Sequence, residues 1–104
     1  MPESFERGAL TEAVYYVLLS LFEANHGYGI MQQVEEMSGG RVKLGAGTLY
    51  GALNTLLEKG WIRALPEEDR KKEYEITPTG LETLRQELLR LSELLENGKR
   101  IMEE

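Results

Sequence analysis

Cysteine is absent from the 104 residues, which excludes a disulfide scaffold, a cysteine-ligated zinc site and thiol catalysis. Histidine occurs once, as His26, too few for a histidine-rich metal centre or a histidine-pair mechanism. Long hydrophobic runs are lacking as well. The longest apolar stretch, residues 13–22, is broken by Ser20 and falls short of the roughly 20 residues that span a bilayer. The first six residues have neither the basic start nor the apolar core of a secretory signal. A cytoplasmic protein with no membrane association is therefore expected. Positive charge is also in short supply: 12 Lys and Arg stand against 18 Asp and Glu, a formal net charge of −6. As a total, that argues against a nucleic-acid partner, whose recognition needs basic groups. No nucleophile–base pair, metal-ligand cluster or phosphate-binding glycine loop is visible. Gly45-Ala46-Gly47 lacks the strand and lysine context of a P-loop. Catalytic residues, metal and cofactor are accordingly all expected to be none, and the chain is not expected to be an enzyme.

What is present fits one small soluble domain with an appended helix: 41% hydrophobic and 29% charged residues are ordinary globular values. Residues 10–24 predict a first helix, with Val14, Val17, Leu18, Leu21 and Phe22 on one face and Tyr15, Tyr16 and Leu19 widening the apolar surface. Asn25-His26-Gly27 breaks it. Residues 28–37 predict a second, shorter helix, with Ile30, Met31, Val34 and Met37 on one side. Ser38-Gly39-Gly40 ends it, and Arg41-Val42-Lys43-Leu44 reads as a small strand or an extended connector. Gly45-Ala46-Gly47 opens a third helix that runs to Lys59, with Gly60 as its stop. Residues 61–65 and 72–77 read as two strands of a hairpin. Thr77-Pro78 is an N-cap followed by proline at the first helical position, starting a helix that continues to Met102. The fold class expected is mainly α with a small β-hairpin: a winged helix-turn-helix over residues 1–77 and a long C-terminal helix over 78–104.

Divided along this order, the charge changes meaning. Residues 1–40 hold one basic and six acidic groups, a net −5. Residues 41–72 hold seven basic and four acidic, a net +3, and residues 73–104 hold four basic and eight acidic, a net −4. The positive island covers the third helix and the wing, where a DNA reader needs it. In the last helix, Leu81, Leu84, Leu88, Leu91, Leu95 and Met102 follow heptad spacing. So long a leucine stripe on so small a body predicts a partner, most simply a second copy, the alternative being packing on its own domain alone.

Four blocks resemble the signature of PadR-type transcriptional regulators: His26-Gly27-Tyr28-Gly29-Ile30, Gly47-Thr48-Leu49-Tyr50-Gly51-Ala52-Leu53, Glu58-Lys59-Gly60-Trp61-Ile62, and the run from Arg70-Lys71-Lys72 through Thr77-Pro78-Thr79-Gly80. They stand in the family's order and span nearly the whole chain. The resemblance implies a homodimeric repressor on a palindromic operator in double-stranded DNA, released by a small hydrophobic or phenolic effector. The length resembles the short subfamily with a single C-terminal dimerisation helix.

In such a fold the third helix enters the major groove, and its core face of Leu49, Leu53 and Leu56 leaves Gly47, Thr48, Tyr50, Gly51 and Asn54 near the bases. Asn54 suits a bidentate contact to adenine, or is a solvated helix residue. Tyr50 reaches a phosphate or remains a core-rim aromatic. Tyr28 clamps the backbone by resemblance, or packs in the interior. Arg70, Lys71 and Lys72 at the wing tip flank or enter the minor groove, and Lys43 and Arg41 are further phosphate contacts. Similar sequences carry Arg or Lys around positions 51, 54 and 55, where this one has Gly51, Asn54 and Thr55. The dimer interface expected is Tyr16 with Leu81, Leu84, Leu88, Leu91, Leu95 and Met102, the resemblance adding the partner's first helix. Trp61 is expected to pack in the core, so an aromatic sandwich around a drug is not supported. His26 reads as a loop histidine rather than a pH sensor. The competing reading is a winged-helix protein–protein interaction module with weak or no DNA binding.

Overall fold

The computed structural model describes residues 9–67 and 69–103. The N-terminal residues inspected above for a targeting signal lie outside that range. Among the described residues, four helices and three short strands follow in the order α1 (Glu12–Leu19), β1 (Asn25–His26), α2 (Gly27–Met37), α3 (Ala46–Lys59), β2 (Ile62–Ala64), β3 (Glu73–Ile76) and α4 (Pro78–Met102). This is a mainly helical winged fold, as expected, but its sheet has three strands rather than the two of a hairpin. The order is β1-β3-β2, both pairings antiparallel, with Asn25 opposite Tyr74 and Ile62 opposite Ile76. A strand of two residues is too short to show any alternation, which is why β1 escaped the sequence reading.

Helix α1 is shorter than the 10–24 expected. Thr11 caps its start by accepting a hydrogen bond from the Val14 amide at 3.1 Å. Its end tightens into three-residue bonds, Leu21 N–H to the Leu18 carbonyl and Phe22 N–H to the Leu19 carbonyl. The chain must leave the helix there because the Leu21 carbonyl accepts from the Ile76 amide of β3 at 2.9 Å. Leu21 is thereby buried, whereas Phe22, placed on the same face by the sequence pattern, is exposed.

The core joins Val17, Leu18 and Leu21 of α1, Ile30 and Val34 of α2, Leu49, Leu53 and Leu56 of α3, Ile62, Tyr74 and Leu84. Trp61 packs on it, as expected. Residues 41–45 form a connector, not a strand. Gly60 ends α3 in the left-handed conformation at φ 76°, with the Trp61 amide returning to the Leu56 carbonyl at 3.1 Å. Thr77 then performs two tasks. Its hydroxyl accepts from the Gly80 amide, capping α4, and donates to the Gly60 carbonyl at 2.6 Å.

Gly80 is required by that crowding: a Cβ there would overlap the backbone carbonyl of Trp61. Gly27 faces a softer neighbour, the Tyr50 hydroxyl. On α4 the last buried residue is Glu87, 2% exposed. Its carboxylate accepts from Arg90 Nε at 2.8 Å, from a second Arg90 nitrogen, and from the Leu10 amide at 3.3 Å. Arg90's hydrogen bond, with the Leu10 amide assisting, holds its pKa below the ordinary carboxylate value despite burial.

In urea denaturation, Gly80→Ala loses about 2–3 kcal/mol, because backbone cannot step aside. Gly27→Ala loses less, and most of that loss returns when Tyr50→Phe removes the hydroxyl. Because the folded pKa of Glu87 is depressed, its contribution is present above the unfolded value and vanishes as pH falls through the folded one. The stability of Glu87→Gln, below wild type near neutrality, should converge with it as pH falls through the ordinary carboxylate range and below it.

Candidate nucleic-acid interface

Burial of Leu49, Leu53 and Leu56 turns the opposite side of α3 outward, so Gly47, Thr48, Tyr50, Gly51 and Asn54 are all exposed. The start of this helix differs from the other three. Thr11, His26 and Thr77 cap α1, α2 and α4 with side-chain acceptors, whereas Gly45 precedes α3 and offers none. The first residues of α3, Ala46, Gly47 and Thr48, are exposed. Uncapped amides at a helix start attract anions, since the helix dipole and the N–H donors act together. Thr55 is not available in the same way: its hydroxyl donates to the Gly51 carbonyl at 3.2 Å.

The start of α2 lies beside this surface. Tyr28 is 65% exposed, so it is not the packing tyrosine of the alternative reading, and its hydroxyl accepts from Gln32 Nε2 at 3.4 Å. Tyr50, 45% exposed, lays its hydroxyl against Gly27. The two phenols therefore flank the first turn of α2. Tyr74 of β3 stands behind them, its pKa raised by burial and, secondarily, by the neighbouring Tyr50. Sequence reading missed two parts of this arrangement. His26 is not a plain loop residue: its Nδ1 accepts from the Gly29 amide at 3.1 Å and caps α2, which begins at Gly27 rather than at Tyr28. Gly27 supplies the space for Tyr50. The available signal is a histidine and two glycines together at a helix start, where a side-chain acceptor caps the helix and glycine admits a close approach.

Much of the basic island is already engaged within the protein. Arg41 pairs with Glu12 at 2.8 Å, Lys43 stands 4.0 Å from Glu35, and Arg63 pairs across the sheet with Glu75. Lys59 lies 5.4 Å from the Trp61 ring centroid, over its face. Arg70, Lys71 and Lys72 are exposed on the wing, and among the described residues no carboxylate stands within ion-pair distance of them. The wing tip bends through two consecutive left-handed residues, Asp69 at φ 54° and Arg70 at φ 64°. That conformation matches a tight hairpin turn but strains residues with a Cβ.

The expected dimer residues fall into three groups. Leu84 leaves the set, because at 3% exposure it belongs to the protomer's own core. Tyr16 and Leu81 are half-buried. Leu88, Leu91, Leu95 and Met102 lie exposed along α4, joined there by Leu94 and Ile101. Among the described residues no group of three His, Asp or Glu is arranged to hold a metal, and no helix is long and apolar enough to cross a membrane.

A helix-turn-helix of α2 and α3, with a basic wing folded beside it, defines the winged helix-turn-helix class of DNA readers. The family described as "Transcriptional regulator PadR-like family" matches residues 16–86. The chain belongs to this PadR-like family of transcriptional regulators. A transcriptional regulator from Clostridium thermocellum has the same fold, with a TM-score of 0.73 at 21% identity over 98% of each chain. A complex structure of RosR from H. salinarum is 30% identical, with a TM-score of 0.69, covering 81% of this chain and 73% of that one. An uncharacterized 37.1 kDa protein in transposon TN4556 of Streptomyces fradiae is 45% identical over 62 residues, 60% of this chain. This chain spans 17% of the length of that relative.

Proposed function

We propose that the chain is a homodimeric repressor that binds a palindromic operator. In this reading residues 1–77 read the DNA, and residues 78–104 form the dimer arm. It works in the cytoplasm, where its operator is. The observation that carries the DNA half is the exposed, uncapped start of α3, together with the exposed Arg70, Lys71 and Lys72 of the wing. Gly47, Thr48 and Asn54 face the bases, Tyr28 and Tyr50 hold the backbone, and Arg70, Lys71 and Lys72 grip the flanking groove. Lys43 contributes once it trades Glu35 for a phosphate.

The dimer half rests on α4. Placed at 100° per residue, Leu88, Leu91, Leu94, Leu95, Ile101 and Met102 cover an arc of about 140°, wider than a single coiled-coil seam. Beyond Glu87 no α4 residue is buried by the protomer. A second copy covers this face with its own α4 and α1. A cleft of about 280 Å³ between α1 and α4, bordered by Leu10, Tyr15, Tyr16 and Leu91 and by the charged Glu12, Glu87 and Arg90, opens beside the arm. It suits a small hydrophobic or phenolic effector that releases the DNA.

One observation favours the second reading, a winged-helix protein-interaction module. The outer face of α3 carries no arginine or lysine at positions 51, 54 or 55, and three cations of the basic island are paired internally.

Fluorescence anisotropy against the DNA upstream of the protein's own gene, at two salt concentrations, separates the two. Preferential binding that weakens with salt supports the repressor, and no preference over random DNA at low salt supports the module. Replacing Arg70, Lys71 and Lys72 with Ala should weaken binding to every sequence and lower the salt slope of a dimer by up to about five. Asn54→Ala should instead relax preference at one base pair of each half-site. Light scattering at micromolar concentration should give twice the 11.8 kDa chain mass, whereas a stable monomer would remove the dimer.

A further inference from the structure

The apolar stripe of α4 is interrupted at one position by a charge. Gly80, Leu84 and Glu87 are its buried residues, and a leucine at 87 would continue the sequence of inward positions. A buried carboxylate there is not the stabilising choice, because a well-packed apolar residue usually matches or exceeds a buried ion pair. What the carboxylate adds is direction. Its oxygens are held by the two-pronged Arg90 guanidinium on α4 and by the Leu10 amide, in the segment that leads into α1. Hydrogen bonds depend on angle, whereas apolar packing tolerates sliding. Glu87 also stands where the helix leaves the body, since no later residue of α4 is buried.

We propose that Glu87 is the fulcrum that fixes the angle between the DNA-reading body and the α4 arm, and through it the separation of the two recognition helices. The inference rests on the dimeric reading above. The lever is long enough to matter. From Glu87 to Met102 the helix runs about 22 Å. A tilt of roughly 10° at the fulcrum moves the far end by about 4 Å, comparable with the 3.4 Å rise per base pair. A dimer whose arms are held at one angle prefers one half-site separation, and one with loosened arms accepts neighbouring separations. Glu87 is thus a positioning residue for operator spacing and touches no DNA.

The test uses a duplex selected from random DNA by the full-length wild-type protein, resynthesised with one base pair added or removed between its half-sites, plus a single half-site duplex. Glu87→Leu and Glu87→Gln are compared with wild type. Arg90, partly exposed, can turn to solvent in both, and thermal melts verify that each is folded. Wild type should prefer the selected spacing by about tenfold or more, and the variants should narrow that to about threefold, because a dimer's avidity depends on both sites being reachable at once. Single half-site affinity should stay unchanged. Spacing profiles that superimpose on wild type in both folded variants would overturn the proposal. So would an equal loss on every duplex, the half-site included, which marks a merely structural role. A monomeric wild type, or one without spacing preference, removes the dimeric operator reading and this inference together. A dimeric wild type with a sharp preference that the variants share removes this inference alone.

Discussion

Between Glu73 and Thr77 the backbone bonds to four separate parts of the molecule. β3 pairs with β1 on one side and β2 on the other, its Ile76 amide takes the Leu21 carbonyl at the end of α1, and Thr77 returns to Trp61 and Gly60 at the end of α3. Each bond fixes where a helix stops or starts. α1 ends where Leu21 is needed by the strand, α2 starts directly after β1, and α4 starts on the Thr77 cap. The point from which the arm starts, relative to the reading helix, therefore depends on one five-residue segment. Crowding at Gly80 has the same origin, since α4 must begin against the Trp61 carbonyl that accepts from Thr77.

The electrostatics are local. Net charge by segment placed +3 over the third helix and wing, but the folded chain pairs Arg41, Lys43 and Arg63 with carboxylates drawn from α1, α2 and β3. These exposed pairs contribute little stability and exchange readily for another anion. Their effect on the unbound protein is to mute its field, while Arg70, Lys71 and Lys72 of the wing stay exposed. A chain of net −6 then approaches DNA with little long-range attraction, and selectivity falls to short-range contacts made after arrival.

Helices were legible where one face repeats. The α3 core set, the Gly60 stop and the Thr77-Pro78 start are written in local residues, and the structure agrees with each. What escaped depended on distant partners. Nothing near residue 21 announces that its carbonyl belongs to β3, so helical periodicity alone extends α1 too far. Nothing within Asn25-His26 signals pairing with Glu73 and Tyr74. Leu84 and Leu88 look alike in a heptad, and only the curvature of the body decides that the first is core and the second is surface. At the interface, exposure of Gly47, Thr48 and Asn54 followed from the helical period. The use of Gly27 as room for Tyr50 is a long-range fit that one sequence does not display.

Past Arg90 none of the described residues of α4 is buried. A dozen residues of helix in water are marginal by themselves, and Gly98 within them weakens the helix further. In the dimeric reading, winding of this segment and capture of a second copy are one event. Order in the arm then follows mass action. At low abundance the chain is a folded head with a fraying tail, and a rising concentration of copies completes it. Occupancy of a paired site would climb with roughly the square of protein concentration, so that a threshold in the amount of regulator arises before any ligand is involved.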